Sequence, residues 1–264
     1  MAAISVTKCH GTGNDFVLLD DRAGNGYEYP RLARTLCERR FGIGADGLLV
    51  LLPARAKADL ALRIFNADGS EAETCGNGLR CVARYIARES GRDGPLAIET
   101  AAGVVRTQPA GERIRVEMGT PQLVAPLYTD LEFDGRKLRF ARISIGNPHA
   151  VILVQEPPEG FDLDQLAQAV TRAAKARDGL NVEIASTGSR TLRMRVHERG
   201  VGETWACGSG AAAAAVAAII EGRAKSPVEV EQRGGNVTIE WQGEHTPIYL
   251  TGPAELVFDT TVAI

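Results

Sequence analysis

The chain has 264 residues, of which 44% are hydrophobic and 24% are charged, and its formal net charge is -3. This composition is typical of a soluble globular protein, and the acidic balance argues against a nucleic-acid-binding protein. The first residues lack a charged start followed by a long apolar stretch, so we expect no signal peptide. The longest apolar run, Ala211–Ile220, is too short to span a bilayer, and we therefore expect a cytoplasmic protein.

The first part of the sequence predicts a hairpin and then a helix. A turn at residues 10–15 joins short strands at Ile4–Lys8 and Phe16–Asp20. Pro30 can occupy the first turn of a helix that we expect to run to Arg40. Further strands are predicted on either side of a helix that ends near Gly91, at Leu48–Leu52, Leu60–Asn66, Leu96–Thr100, Val104–Thr107 and Arg113–Met118.

The second part repeats this order after a boundary at Gly119-Thr120-Pro121, where Gly and Pro together end regular structure. We expect two domains, 1–119 and 120–255, each with many short strands and a helix that is apolar nearly all round. The predicted elements of the second part are strands at Lys137–Ile145 and Ala150–Val154, a helix at Asp164–Arg177, strands at Val182–Ser186 and Thr191–His197, a helix from Ala211, and strands at Val228–Gln232, Asn236–Trp241, Ile248–Thr251 and Ala254–Phe258.

Two cysteines introduce these two central helices in matching Cys-Gly-x-Gly motifs. Cys75-Gly76-Asn77-Gly78 and Cys207-Gly208-Ser209-Gly210 are 132 positions apart, half of the chain length. The spacing indicates a duplicated unit with a thiol at each helix N-terminus. Two facing thiols can remove a proton from one face of a carbon and return one to the other face.

A helix N-terminus favours an anion, so we expect it to lower the pKa of each thiol and to offer a site for a carboxylate. A single cysteine of this kind is more often a buried core residue; two in matched motifs favour catalysis. The count of five cysteines is odd, which predicts thiols rather than a disulfide framework. No Cys-x-x-Cys pair occurs, so we expect no structural zinc site.

Polar residues near predicted loops and strand ends form a candidate binding set. Glu198 and Arg199 shortly precede Cys207 and could bind the ammonium and carboxylate of a zwitterion, although an isolated pair of this kind is usually a solvated salt bridge. His149 could tune a nearby thiol, although a lone histidine is usually structural. The amides of the set are Asn14, Asn66, Asn77, Asn147 and Asn181, each of which taken singly is more often a turn residue.

Taken together, these motifs resemble the diaminopimelate epimerase family over almost the whole chain. The resemblance rests on segments 10–16, 39–46, 66–71, 75–78, 146–150, 181–183, 198–204, 206–210 and 250–254. It implies an α+β fold of two pseudo-symmetric α/β domains, each a curled mixed or antiparallel sheet around a central helix. It also implies that the active site lies in the cleft between them and that residues 256–264 cross back to the first domain.

The resemblance further implies a function without a cofactor or metal. Cys75 and Cys207 would be the acid–base pair that interconverts LL- and meso-2,6-diaminopimelate in lysine and peptidoglycan synthesis, and His149 and Glu198 would adjust their acidity. The family is typically a cytosolic homodimer. The residues that would bind the substrate are Asn14, Asn66, Gly76, Asn77, Asn147, Asn181, Glu198, Arg199, Gly208 and Ser209.

Three departures from the family pattern stand out. Gly47 replaces a glutamine found in some members, Ser209 replaces a common threonine, and residues 172–179 lack the usual His-Pro and Phe-Pro. Three alternatives remain open at this stage: a related amino-acid racemase with another side-chain pocket, a redox-regulated thiol protein, and a non-catalytic binding module.

Overall fold

The computed structural model describes residues 3–55, 57–188 and 191–263. Six positions of the predicted domain ranges and of the predicted returning segment 256–264 lie outside the described residues: 1, 2, 56, 189, 190 and 264. The chain divides into two units, which we call unit 1 (Met1–Val116 with Gly252–Ile264) and unit 2 (Glu117–Thr251).

Unit 1 begins with a hairpin and continues with two helices between strands. Its elements in chain order are β1 (Ala3–Gly11), β2 (Asn14–Asp20), α1 (Tyr29–Leu36), β3 (Gly47–Leu52), β4 (Leu60–Asn66), β5 (Glu71–Ala72), α2 (Gly76–Ser90), β6 (Leu96–Thr100), β7 (Gly103–Ala110) and β8 (Arg113–Glu117). The hairpin turn contains only Thr12 and Gly13, which confirms the predicted hairpin.

Unit 2 has the same order of elements after one additional strand. They are β9 (Gln122–Phe133), β10 (Arg136–Ser144), β11 (Pro148–Val154), α3 (Leu163–Ala173), β12 (Asn181–Thr187), β13 (Thr191–Glu198), β14 (Gly202–Thr204), α4 (Gly208–Ile220), β15 (Val228–Gln232), β16 (Gly235–Glu240) and β17 (Tyr249–Gly252). A short 3-10 turn covers Pro158–Gly160. The chain then returns to unit 1 as β18 (Glu255–Ala263).

The two units repeat one pairing scheme. In unit 1, β1 pairs antiparallel with β2, β2 parallel with β3, β3 antiparallel with β4, and β4 parallel with β6. In unit 2, β10, β11, β12, β13 and β15 pair in the same sequence of directions. The additional strand β9 pairs antiparallel with β10, just as β18 pairs antiparallel with β1. The duplication inferred from the cysteine motifs is therefore present in the topology.

The helices α2 and α4 are central in their units but differ in polarity. The α4 helix contacts β10, β11, β12, β13, β15 and β16, and its Ala211–Ala218 segment is wholly buried, as a helix without a polar face must be. The α2 helix packs on β1, β2, β7 and β18 and carries three arginines, at positions 80, 84 and 88. The expectation of a helix that is apolar nearly all round is confirmed for α4 and wrong for α2.

Two helices end before their predicted bounds. The α1 helix stops at Leu36, short of Arg40, because the Leu36 carbonyl accepts from the N–H groups of Ile43 and Gly44 in a returning turn. Arg39 in that turn binds Asp15 and Asp46 instead of extending the helix. The α3 helix likewise ends at Ala173, before the predicted Arg177.

The strand β9 was not predicted from the sequence. Pro126 interrupts it, and a proline inside a run argues against a strand. The structure accommodates this proline where the β9–β10 register shifts between Ala141 and Ile143, so no ladder hydrogen bond is required of it. Within the described ranges, no helix combines the length and the apolar character needed to cross a bilayer.

Candidate active site

The Cys75 thiol caps the N-terminus of α2. Cys75 has an extended backbone, and its Sγ accepts a hydrogen bond from the Gly78 N–H at 3.4 Å. The same sulfur faces Asn14 Oδ1 at 3.8 Å, and Asn77 Nδ2 donates to that oxygen at 3.1 Å. The sulfur therefore has a donor for its thiolate form and an acceptor for its thiol form. Unit 1 brings Asn14, Cys75, Gly76 and Asn77 together as the sequence predicted.

A charged network outside this group fixes the Asn14 amide. Asn14 Nδ2 donates to Asp46 Oδ2 at 2.9 Å, which turns Oδ1 toward the sulfur. Asp46 is bound by Arg39 at 2.7 Å, and Arg39 and Lys8 both bind Asp15, at 2.8 and 2.6 Å. Burial would raise the pKa of Asp15, but these cations outweigh it and lower the pKa to about 2.

Two other positions noted in the sequence, Asn66 and Gly47, are paired across β4 and β3. Asn66, exposed at the end of β4, donates to Ser70 Oγ at 2.9 Å, within its own loop. Gly47 begins β3, and a Cβ placed there would lie 2.7 Å from the Phe65 carbonyl oxygen. A side chain at position 47 would therefore require the backbone near Phe65 to shift.

A buried arginine near Cys75 was not predicted. Arg80 is fully buried, and its guanidinium donates to the carbonyls of Pro253 and Gly76 and to Thr12 Oγ1. Burial lowers the pKa of Arg80 to about 10, so it remains a cation at neutral pH. The thiol of Cys75 therefore lies in the field of a buried positive charge.

The Cys207 thiol caps α4 in the same way. Its Sγ accepts from the Gly210 N–H at 3.4 Å and lies 3.5 Å from Ser209 Oγ. Its backbone N–H donates to Gln232 Oε1 at 2.8 Å, a contact that no sequence pattern predicted. The carboxylate of Glu198 lies close enough to this sulfur to affect its acidity, and it accepts from Thr204 Oγ1 at 2.5 Å.

Negative charge surrounds this second sulfur. Burial, together with the carboxylates of Glu198 and Glu183, raises the pKa of the Cys207 thiol well above its usual value. The expectation that the helix N-terminus would lower this pKa is wrong for Cys207, because desolvation and two anions outweigh the helix dipole. Burial also raises the pKa of Glu198.

A polar chain in unit 2 connects several predicted residues. His149 Nε2 faces Asn147 Oδ1 at 2.8 Å, and Asn147 Nδ2 donates to Ser209 Oγ at 3.4 Å. His149 Nδ1 faces Glu183 Oε1 at 2.7 Å. Glu183 was missed as a site residue, although a charged residue in the middle of a buried strand was a usable signal.

Asn181 and Arg199 form a separate pair beside this chain. Asn181 Oδ1 accepts from the Arg199 backbone N–H at 3.0 Å, and its Nδ2 donates to the Pro148 carbonyl at 3.2 Å. The Arg199 side chain is exposed, and its Cγ lies 3.2 Å from where a Cβ on Gly179 would be. The atypical segment 172–179 therefore ends against Arg199, and the φ of 72° at Gly179 favours glycine there.

Comparison with known proteins defines first the fold class and then the family. A solved probable proline racemase from Agrobacterium radiobacter K84 matches with a TM-score of 0.76 and 18% identity, covering 99% of this chain and 93% of that one. The fold is thus of the racemase-like class with two repeated halves.

Sequence comparison is more specific. The family model described as diaminopimelate epimerase matches residues 6–124 and 141–257. Diaminopimelate epimerases of Desulfitobacterium hafniense and Moorella thermoacetica are each 42% identical to this chain; the first match covers 97% of the chain and 96% of the relative, the second 95% and 96%. The chain belongs to the diaminopimelate epimerase family.

Proposed function

We propose that this chain interconverts LL- and meso-2,6-diaminopimelate, a step of lysine and peptidoglycan synthesis, without pyridoxal phosphate. The observation that carries the proposal is the repeated thiol cap. Each of Cys75 and Cys207 accepts from the N–H three residues later and faces an oxygen acceptor. A group that must both take and give a proton needs partners for both of its forms.

The proposed reaction is a two-base proton transfer at one α-carbon. One cysteine, as thiolate, removes the α-proton, and the other, as thiol, delivers its own proton to the opposite face. The carbanion that forms is stabilised by spreading its charge onto the adjacent carboxylate. Backbone N–H groups at the helix starts, at Gly76-Asn77 and Gly208-Ser209, would bind that carboxylate, which is the electrostatic help this step most needs.

The surroundings of the two sulfurs suggest their resting states. The raised pKa of Cys207 favours the thiol in the unliganded protein. The sulfur of Cys75 lies instead in the field of the buried Arg80 cation. We therefore infer that Cys75 is the base and Cys207 the acid in the first half-reaction from the resting form. The opposite direction uses the same groups with exchanged roles.

The remaining predicted residues would bind the distal end of the substrate. Arg199 offers an exposed guanidinium for the distal carboxylate, and Asn181 holds the backbone that carries it. Asn66 and Asn147 would supply amide contacts. Glu198 is already engaged with Thr204 and Cys207, so its principal proposed role is to set the acidity of Cys207.

The first experiment is incubation of the reduced protein with LL-diaminopimelate in deuterium oxide, following the α-proton by NMR and the meso isomer by chromatography. We expect loss of the proton signal together with the meso product. Exchange and product with another amino acid alone would instead identify a related racemase. A folded, reduced protein that exchanges no α-proton of any amino acid, but forms a reversible Cys75–Cys207 disulfide, would overturn the proposal in favour of a redox-regulated thiol protein.

We further propose that the chain is a cytoplasmic homodimer. On β18, the side chains of Val257 and Phe258 are 54% and 47% exposed, which suits an apolar contact with a second copy. Light scattering after size exclusion is expected to give twice the chain mass of 28.2 kDa. A single-chain mass at micromolar concentration would contradict the dimer.

A further inference from the structure

A chain of hydrogen bonds leads from the interior of unit 2 to Cys207. Glu183 Oε1 lies 2.7 Å from His149 Nδ1, and His149 Nε2 lies 2.8 Å from Asn147 Oδ1. Asn147 Nδ2 donates to Ser209 Oγ at 3.4 Å, and Ser209 Oγ is 3.5 Å from Cys207 Sγ. Both side chains of the Glu183–His149 pair are wholly inaccessible to solvent.

The other unit adopts the same pairing scheme without such a pair. The equivalent pair in unit 1 is apolar: Phe16 faces Gly47 on the neighbouring strand as His149 faces Asn181, and Leu49 stands two residues further along, like Glu183. Buried charge costs free energy that well-packed apolar residues do not. A buried carboxylate and imidazole at these two positions therefore indicate a function.

The contact between Glu183 and α4 is close. A Cβ placed on Gly210 would lie 2.7 Å from Glu183 Oε1, so only glycine in this first helical turn allows the carboxylate to approach. The titratable groups around the pair come from the neighbouring elements: Glu198 at the end of β13 and Cys207 at the start of α4. The partial positive charge of the α4 N-terminus favours the carboxylate at this position.

The donors and acceptors along this chain of hydrogen bonds can be arranged in either of two directions. A carboxylate only accepts, so Nδ1 of His149 must keep its proton toward Glu183, and Nε2 must face Asn147. When Nε2 is protonated as well, the imidazole is a cation beside the Glu183 carboxylate. Nε2 then donates to Asn147 Oδ1, Asn147 donates to Ser209, and the Ser209 hydroxyl is left to donate to a Cys207 thiolate. This state holds the same total number of protons as a Cys207 thiol with a neutral imidazole.

When Nε2 is bare, the sequence of donors reverses. The Asn147 amide turns to donate to Nε2, and Ser209 donates to the amide oxygen. The Ser209 oxygen then accepts from a Cys207 thiol. Each protonation form of Cys207 thus has one self-consistent arrangement of the chain.

We propose that Glu183 is a positioning residue that fixes the His149 ring so that Asn147 and Ser209 can support Cys207 in both its thiol and its thiolate form. This inference rests on the proposed function and names a residue through which Cys207 is adjusted. Glu183 acts through this chain of hydrogen bonds and does not contact the substrate.

A double-mutant cycle between Glu183 and Ser209 tests the proposal. A glutamine can donate to Nδ1 and so release the ring, and we expect Glu183→Gln to lower kcat about 10- to 100-fold in both directions, with KM changed less than about 3-fold. Ser209→Ala is expected to have a similar effect. In the double variant, kcat is expected within about 3-fold of the worse single variant, because both changes interrupt one chain. Multiplicative losses, or a fall below about 3-fold for Glu183→Gln, would overturn it.

Two further variants distinguish loss of the hydrogen-bond chain from general destabilisation of the protein. Glu183→Leu with His149→Phe installs the apolar pair of unit 1 and is expected to fold, with kcat as low as that of Glu183→Gln. Recovery of wild-type kcat in this variant would overturn the proposal. Glu231→Gln, which removes an exposed carboxylate on β15, is the charge-matched control and is expected to leave kcat unchanged.

A measurement without substrate separates this inference from the proposed function. The ¹⁵N NMR shifts of the His149 ring are expected to change in Ser209→Ala, since the chain connects them, and to change less in Ser209→Ala made on the Glu183→Gln background. Unchanged shifts in Ser209→Ala would refute the chain even if the protein epimerises diaminopimelate. If the shifts change but the protein does not react with diaminopimelate, the hydrogen-bond chain is supported and the proposed substrate is contradicted.

Discussion

The two units share a backbone plan and surround their cysteines with opposite charge. In unit 1 a buried arginine, Arg80, lies five residues after Cys75, and the paired strands beneath are apolar. In unit 2 the fifth residue after Cys207 is Ala212, and two buried or nearly buried carboxylates, Glu183 and Glu198, face the sulfur instead. The repeated backbone supplies the same helix-cap donors to both thiols, and the side chains make them chemically unequal.

Under the proposed mechanism this difference matters, because each turnover begins with one thiolate and one thiol, and a fully symmetric protein would have no preference between the two assignments. The buried cation near Cys75 and the anions near Cys207 would supply that preference.

Removal of either thiol tests whether both halves are needed. We expect Cys75→Ala and Cys207→Ala each to lower epimerisation by at least about a thousand-fold, because no other group replaces the lost proton donor or acceptor. Cys→Ser variants are expected to retain slow one-sided α-proton exchange in deuterium oxide. The check is parallel measurement of exchange and isomer formation; near-normal turnover in either alanine variant would disprove the two-thiol scheme.

Arg80→Ala places in unit 1 the residue that unit 2 has at the equivalent position, Ala212. It leaves the carbonyls of Gly76 and Pro253 without their buried donor and opens a cavity, so we expect a loss of about 3–5 kcal/mol in unfolding free energy. Urea unfolding followed by circular dichroism measures this.

The matched control for Arg80→Ala is Arg84→Ala. Arg84 lies on the same helix, is only partly buried and also donates to a backbone carbonyl, that of Ala254. We expect it to cost about 1 kcal/mol. Equal losses for the two variants would argue against a special role of the buried cation.

A methyl group added at the third residue of each helix probes what lies beneath it. In Gly210→Ala the new Cβ displaces the Glu183 carboxylate from His149, whereas in Gly78→Ala it meets only a methyl of Leu49 at 2.8 Å. We expect kcat to fall about 10-fold more in Gly210→Ala than in Gly78→Ala. Steady-state kinetics and melting temperatures of both variants provide the check, and equal kinetic effects would show that the two positions are equivalent.

Acid should weaken unit 1 through the Asp15 cluster. The pKa of Asp15 is about 2 in the folded protein against an ordinary value of 3.8, so its contribution to stability is complete above pH 4–5 and is lost as the pH falls toward 2. Because the cluster is partly exposed, we expect a loss of only about 1–2 kcal/mol.

Asp15→Asn removes this titrating group. In this variant, the decrease in unfolding free energy between pH 5 and pH 2.5 should be smaller than in the wild type by about that amount. Denaturant titrations at several pH values measure the difference. Identical pH dependence of the two proteins would show that the cluster contributes nothing.

The sequence was informative wherever a motif was repeated. The matched cysteine motifs predicted both helix caps and the duplicated topology, and the resemblance identified residues that the structure connects, such as Asn147, Ser209 and His149. Local patterns were less informative at helix ends. The α1 helix ends early because Arg39 makes ion pairs with Asp15 and Asp46, one of them distant in the sequence, which no local pattern reports.

The sequence-based predictions were wrong or missing where a property depends on which groups are buried together. The acidity of Cys207 depends on which anions surround it, and Glu183 and Glu198 reach it from two different strands. Arg80 reads in the sequence as an ordinary helical arginine, and only packing shows that it is a buried cation. The proline in β9 was tolerated because a register shift falls beside it.

The strand β18 has a consequence for the synthesis of the protein. It pairs with β1 along eight residue partners, although the two strands lie at opposite ends of the described chain. A ribosome adds about 5–20 residues per second, so β1 waits roughly 12–50 s before its partner exists. Unit 2 is contiguous and can complete its sheet during translation, whereas the nascent unit 1 keeps an open strand edge, the kind of surface that chaperones bind.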